Sequence, residues 1–173
     1  MTVALLLIAG YLVGGIPFGL IVGKVFRGID IRKVGSSNIG ATNVYRALGA
    51  KAGLAVFLLD VIKGWAPIFL AKSIAPDSAW LPITCGLVSV LGHTLSPFLK
   101  FKGGKGVATC LGVLIGLDWR VASVSFGLWL VTVVATRYVS VASIVAAVTV
   151  AVSIFVVRES PWERAFGLIV ATF

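Results

Sequence analysis

Val3 to Val22 reads VALLLIAGYLVGGIPFGLIV, without a charged residue. A helix needs about 20 such residues to cross the hydrocarbon core of a bilayer. The apolar character is continuous rather than alternating, so the run reads as a membrane helix and not as a strand of a porin-like barrel. Lys24, the first basic residue, follows the run instead of preceding it, which favours an uncleaved span over a secretory signal.

Similar runs recur outward from this one. They cover Gly53 to Leu70, Trp80 to Leu99, Val107 to Leu117, Val121 to Ala135 and Val139 to Val157; a last run starts near Trp162 and is still apolar at Phe173. The Val107 run is too short to cross at full thickness. Composition agrees. Apolar residues make up 59% of the 173 positions, charged residues 12%, and the mean hydropathy is +1.08. A soluble domain carries about 25% charged residues. The expected fold is an all-α membrane protein of about seven transmembrane helices, forming one domain over residues 1–173.

The basic residues set an orientation. With the N-terminus external, the cytosolic loops hold Lys24, Arg27, Arg32, Lys33, Arg46, Lys51, Lys100, Lys102, Lys105 and Arg137 against Asp30 alone. The external loops hold Lys72, Arg120, Arg158 and Arg164, balanced by Asp77, Asp118, Glu159 and Glu163. Positive residues stay inside, which places the chain's end on the cytosolic side. The net charge of +9 thus reads as basic loops beside anionic lipid. Nucleic acid is not an expected partner, because no aromatic-rich basic surface accompanies the charge. Cys85 and Cys110 lie in apolar runs without a CxxC or Cys/His cluster, and the acidic residues are few and scattered. No metal site is expected.

Two polar loops share the cytosolic side. Gly35-Ser36-Ser37-Asn38-Ile39-Gly40-Ala41-Thr42-Asn43, followed by Arg46, can turn tightly and expose successive N–H groups to phosphate oxygens. Ser36, Thr42 and Asn43 add donors, and Arg46 offers a bidentate fork. The same residues also suit an ordinary surface loop whose Ser and Asn cap a helix. Phe101-Lys102-Gly103-Gly104-Lys105-Gly106-Val107-Ala108-Thr109 sets three glycines around a lysine where a helix opens, again suiting an anion. A basic membrane anchor is the simpler alternative, but anchoring needs no glycine. Gly106 after Lys105 rules out a Walker A motif.

Inside the spans, Asp60 and Lys63 stand at i and i+3. They form either a mutually neutralising pair or a brace beneath a polar pocket. His93 is the one histidine and suits a general base or a packing residue. Ser140 and Ser143 follow Arg137 at the cytosolic start of a span; they either bond back to their own helix or meet a ligand.

Taken together, these stretches resemble a known family. Ser36 to Asn43 with Arg46, Asp60-Val61-Ile62-Lys63-Gly64, Gly92-His93 to Phe98, Phe101 to Thr109, and Arg137 to Ile144 are similar, in order, to the motifs of the acyl-phosphate:glycerol-3-phosphate acyltransferases of the PlsY type. The likeness runs from about residue 14 to 157. Ser37 stands where the family usually has Gly. The family also ends in a basic tail that contributes to its substrate site, whereas this sequence stops at Phe173, inside the last span.

The resemblance implies transfer of a fatty acyl group from acyl phosphate to the 1-hydroxyl of sn-glycerol 3-phosphate, giving lysophosphatidic acid and phosphate without a cofactor. It implies a monomer in the bacterial inner membrane, among membrane lipids, with its site facing the cytosol. Ser36, Arg46, Lys105 and Ser143 are the implied catalytic residues; with His93 they would bind glycerol 3-phosphate. Asn38, Gly40, Ala41, Thr42, Asn43, Gly103 and Gly104 would hold the acyl phosphate. An acyl phosphate is already activated, so a protein nucleophile is unnecessary, and no Gly-x-Ser-x-Gly elbow is present. The rival readings are a small transporter relaying ions through Asp60 and Lys63, and a lipid-binding scaffold.

Overall fold

The computed structural model describes residues 1–157; the span expected from Trp162, and with it the cytosolic end of the chain, lies outside the described residues. The described residues form helices joined by turns and loops, with no strand. In order they are α1 (Thr2–Gly15), α2 (Phe18–Arg27), α3 (Ala41–Leu48), α4 (Ala50–Ile74), α5 (Trp80–Thr94), α6 (Val107–Leu117), α7 (Trp119–Thr136) and α8 (Val139–Val157). Among the described residues, four stretches are long and apolar enough to cross a membrane: Thr2–Arg27, Ala50–Ile74, Trp80–Leu99 and Trp119–Thr136. The apolar helices Val107–Leu117 and Val139–Ile154 are shorter.

The first expected span is not one helix. Pro17 lacks an N–H and disfavours helical geometry in the residue before it. The chain breaks at Ile16, φ −57° and ψ 119°, and restarts as α2. A break inside lipid must find partners for its freed carbonyls. Ser96 Oγ donates to Gly15 O at 2.6 Å, and Lys63 Nζ donates to Ile16 O at 2.8 Å. The sequence reading differs again between Lys24 and Ala52. α2 runs to Arg27 and α3 occupies Ala41–Leu48, so Thr42, Asn43 and Arg46 stand on a helix and not in an open loop.

Helices meet backbone to backbone at glycines, as membrane helices do when no hydrophobic force drives them together. α1 crosses α5 with Gly14 on the Ser89 backbone and Gly92 on the Tyr11 carbonyl. α4 crosses α6 with Gly64 on the Thr109 carbonyl and Gly112 on the Val61 carbonyl. These crossings set the depth of α4, which turns Leu54, Leu58, Ile62, Trp65 and Phe69 outward and Asp60, Lys63 and Ile68 inward.

Two of the three apolar clusters among the described residues lie around the polar interior. One joins Ile68, Val113, Leu114, Val121, Val150 and Ile154 across α4, α6, α7 and α8. The other packs Leu20, Ile31, Ile39, Val44, Val56 and Leu99 beneath the first polar loop. At the opposite end of α4, Lys72 Nζ donates to the Gly116 and Leu117 carbonyls at 2.7 and 3.4 Å, closing the short α6. A cation there also complements the helix dipole.

Candidate active site

Asn43 organises the first loop from inside. It is 2% exposed. Its amide nitrogen donates to the carbonyls of Ile31 (3.1 Å), Val34 (3.1 Å) and Asn38 (2.8 Å), and its oxygen accepts the Ser36 N–H (2.9 Å). The side chain is therefore consumed in shaping the loop. Gly35 and Ser37 both take φ +58°, a region that favours glycine; at Ser37 the chain uses a serine in that conformation. Asn38 Oδ1 accepts the Gly40 N–H at 2.9 Å. Asp30 closes the near side, accepting from the Arg32 backbone N–H, Nε and Nη2 at 3.0, 2.9 and 2.6 Å. The Arg32 hydrogen bonds hold the Asp30 carboxyl well below the usual carboxylate range.

With the loop so fixed, α3 begins at Ala41. Among the described residues, the N–H groups of Ala41 and Thr42 have no acceptor. They point out of a helix N-terminus, where the dipole favours an anion. Arg46, one turn further on, is exposed and unpaired among the described residues, as is the Ser36 hydroxyl.

The second loop works differently from its sequence reading. Gly103 N–H donates to Thr94 O at 2.9 Å and Gly104 N–H to His93 O at 3.1 Å. These two glycines cap the end of α5, so their N–H groups are taken up within the protein. Any Cβ on Gly103 would run into the His93 carbonyl. The donors left open lie a few residues on, in the first turn of α6 at Val107 and Ala108. Lys105, just before them, is exposed and unpaired among the described residues.

The two loops touch. A Cβ placed on Gly104 would come within 3.1 Å of Ile39 Cγ1 and against His93 Nε2. Ile39 lies two residues before α3 and Gly104 three before α6, so both helix N-termini open at the same end of the molecule. The loop and helix that carry Ser36, Asn38, Gly40, Ala41, Thr42 and Arg46 thus touch the loop that carries Gly103, Gly104 and Lys105. Ser143 belongs to the α7–α8 pair. Its hydroxyl donates to Val139 O at 2.9 Å and accepts from Trp129 Nε1 at 3.4 Å.

Beneath the junction lies a buried polar chain. Asp60 and Lys63 are each 2% exposed and His93 3%. Lys63 Nζ sits 2.7 Å from Asp60 Oδ1 and 5.5 Å from the Phe18 ring centroid, besides holding Ile16 O. Asp60 Oδ1 is near enough for ion pairing but is not in line for a hydrogen bond, and no other described group donates to it. His93 Nδ1 lies 3.3 Å from Thr109 Oγ1 and 3.9 Å from Asp60 Oδ1. The i, i+3 spacing had shown the pair. It had not shown that Lys63 would seal the helix break or that Thr109 would meet His93; the signal present was Pro17, placed within a span that shares the membrane with one lysine.

The wider comparisons name the chemistry. Residues 4–173 match the family model for glycerol-3-phosphate acyltransferase. The chain is 43% identical over 163 residues to the glycerol-3-phosphate acyltransferase of Fusobacterium nucleatum, covering 94% of this chain and 84% of that one. It is 49% identical over 157 residues to that of Aquifex aeolicus, covering 90% and 81%. A crystal structure of PlsY, an integral membrane glycerol 3-phosphate acyltransferase, in its glycerol 3-phosphate form matches with a TM-score of 0.94 at 42% identity, over 99% of this chain and 86% of that one. Its lysophosphatidic acid form matches at 0.92 and 41%, over 99% and 85%. The transporter alternative finds no support: Asp60 and Lys63 close on each other, and the break between α1 and α2 is filled by Lys63 and Ser96. An integral membrane protein with this helical frame and these motifs, the chain belongs to the glycerol-3-phosphate acyltransferase family.

Proposed function

We propose that this chain moves a fatty acyl group from an acyl phosphate to the 1-hydroxyl of sn-glycerol 3-phosphate. The observation that carries the reading is the meeting of two helix N-termini, with Arg46 and Lys105 free beside them, at Ile39 and Gly104. Both substrates bear phosphate, and such termini with a free cation suit phosphate oxygens. The relative's glycerol 3-phosphate and lysophosphatidic acid forms are the acceptor and the product of this reaction.

In the proposed mechanism Arg46 and Lys105 hold the phosphate of the acceptor, while Ser36, Ser143 and His93 orient its hydroxyls. Asn38, Gly40, Ala41 and Thr42 hold the donor's phosphate and its developing charge. Asn43, Gly103 and Gly104 keep the two loops in that shape. The 1-hydroxyl oxygen attacks the acyl carbon, the bond from that carbon to the phosphate oxygen breaks, and phosphate departs with the electron pair and the hydroxyl proton. Catalysis is then positioning and charge stabilisation, without a protein nucleophile.

The same reading makes residues 1–173 one domain of seven spans, N-terminus external and C-terminus cytosolic. The protein acts as a monomer in a bacterial inner membrane, with the site on the cytosolic side and the acyl chain entering from lipid. The basic residues of the two loops support that orientation. Arg46→Ala and Lys105→Ala test it. Each should insert normally and lose about 100-fold or more in kcat/KM, as expected when a charged group on a phosphate is removed. Near wild-type turnover in Arg46→Ala would overturn the assignment.

A further inference from the structure

Ser143 stands on α8, apart from the two phosphate loops, and a row of three aromatic rings links it to α4. Trp129 of α7 donates its indole N–H to Ser143 Oγ at 3.4 Å. The same indole stacks on Phe126, with ring centroids 5.8 Å apart and planes 10° apart. Phe126 stacks in turn on Phe57 of α4, at 6.0 Å and 23°. Both pairs lie in the range of favourable aromatic contact. Phe57 is three residues before Asp60, so the row runs from the helix that carries the buried polar chain to the hydroxyl of Ser143.

The hydrogen bonds of Ser143 leave one place open. A serine hydroxyl has one hydrogen and two lone pairs. The hydrogen goes to Val139 O at 2.9 Å, and one lone pair receives the indole N–H. The second lone pair can take a hydrogen from a ligand. The bond to Val139 does not fix its direction, since a helical serine reaches either the i−3 or the i−4 carbonyl. The indole does fix it. Its nitrogen only donates, and the stack on Phe126 holds the ring in one plane, so a single placement of the serine oxygen satisfies it.

We infer that Trp129 is a positioning residue for acyl transfer: its N–H, aimed by the stack through Phe126 to Phe57, sets the Ser143 hydroxyl with its open lone pair toward a hydroxyl of glycerol 3-phosphate. This rests on the proposed function, which puts Ser143 on the acceptor, and adds to it a residue that touches no substrate. It also gives α7 a part in the site, although none of the site residues assigned above lies on that helix.

A tryptophan that merely packs α7 against α8 would act independently of Ser143, and two variants separate the roles. Trp129→Phe keeps a ring and deletes the N–H; Ser143→Ala deletes its partner. Initial rates of the full chain in membranes are read with sn-glycerol 3-phosphate varied at saturating palmitoyl phosphate. We expect kcat/KM for glycerol 3-phosphate to fall about tenfold in Ser143→Ala and about fivefold in Trp129→Phe. KM for palmitoyl phosphate should not change, and the double variant should be no worse than Ser143→Ala. Losses that multiply in the double variant overturn the inference alone, as does a Trp129→Phe protein with wild-type kinetics beside an impaired Ser143→Ala. Wild-type kinetics in Ser143→Ala overturn the assignment of Ser143 and the inference with it. A second readout needs no acyl donor. The heteronuclear NMR signal of the Trp129 indole N–H, identified by its loss in Trp129→Phe, should move when glycerol 3-phosphate saturates the protein in detergent and should stay still in Ser143→Ala. A Trp129 signal that ignores bound glycerol 3-phosphate overturns the inference. A signal that responds through Ser143 in a protein that turns over no palmitoyl phosphate upholds it and counts against the donor instead.

Discussion

Replacing Lys63 by Met removes the positive partner of Asp60 while keeping the length of the side chain. The buried carboxylate is then stranded 2% exposed inside the bundle, and breaking one side of a buried pair costs about 3–5 kcal/mol. The Ile16 carbonyl, now without the donor at 2.8 Å, adds about 1–3 kcal/mol. Protonation of Asp60 limits the first penalty but does not remove it. Asp60→Leu combined with Lys63→Met strands no charge. Its cost reduces to the carbonyl term, because a buried pair replaced whole by apolar residues is often nearly neutral. The double variant should therefore be more stable than the Lys63→Met single. Unfolding in detergent can be followed with a thiol-reactive dye, since Cys85 is buried and becomes reactive only on opening. Midpoints at one fixed heating rate give the ranking even where unfolding is irreversible. At about 2–4 °C per kcal/mol, the single variant should fall by about 10–30 °C and the double by about a third as much. A double variant as unstable as the sum of its singles would refute the reasoning.

Further outcomes follow from the loop and the helix crossings. Asn43→Ala deletes four hydrogen bonds that hold residues 31 to 38, so trypsin should cut after Arg32 and Lys33 several-fold faster than in wild type; an unchanged rate would mean the loop is held by other contacts. Gly112→Leu drives a side chain into the Val61 carbonyl and should cost about 1–3 kcal/mol or more, seen as loss of a monodisperse peak on size exclusion. Gly127→Leu, with nothing within 4 Å, should behave as wild type in the same assay. Because Arg32 keeps the Asp30 carboxylate ionised below its ordinary value of 3.8, the folded-state brace is complete above that value and fades only as pH falls below it. The difference in unfolding midpoint between wild type and Asp30→Asn should accordingly stay constant from pH 8 to pH 5; a difference that shrinks within that window would refute the assignment.

Much of this frame was legible because lipid imposes a coarse code. The boundaries Val107–Leu117 and Val139–Val157 follow from apolar run lengths alone, as the structure has them. What was not legible is where two distant segments supply one local need. The break at Ile16 is stable because Lys63 and Ser96 reach it from other helices, and no window of residues around Pro17 contains that information. α3 was read as loop because its polar residues show no apolar run; its helix is held by Val44 in the core and by Asn43 from within. The glycines of the second loop were read as donors to phosphate. They serve as close contacts to the end of α5 instead, and the open N–H groups fall in α6.

The central claim is acyl transfer from an acyl phosphate to glycerol 3-phosphate. The most direct measurement incubates membranes bearing the full-length protein with radiolabelled sn-glycerol 3-phosphate and, in separate reactions, palmitoyl phosphate, palmitoyl-coenzyme A or palmitoyl-acyl-carrier protein. Lysophosphatidic acid formed from palmitoyl phosphate alone, with an equimolar release of inorganic phosphate, is the predicted result. Product from either thioester, or none from palmitoyl phosphate when the protein is correctly inserted, would contradict it.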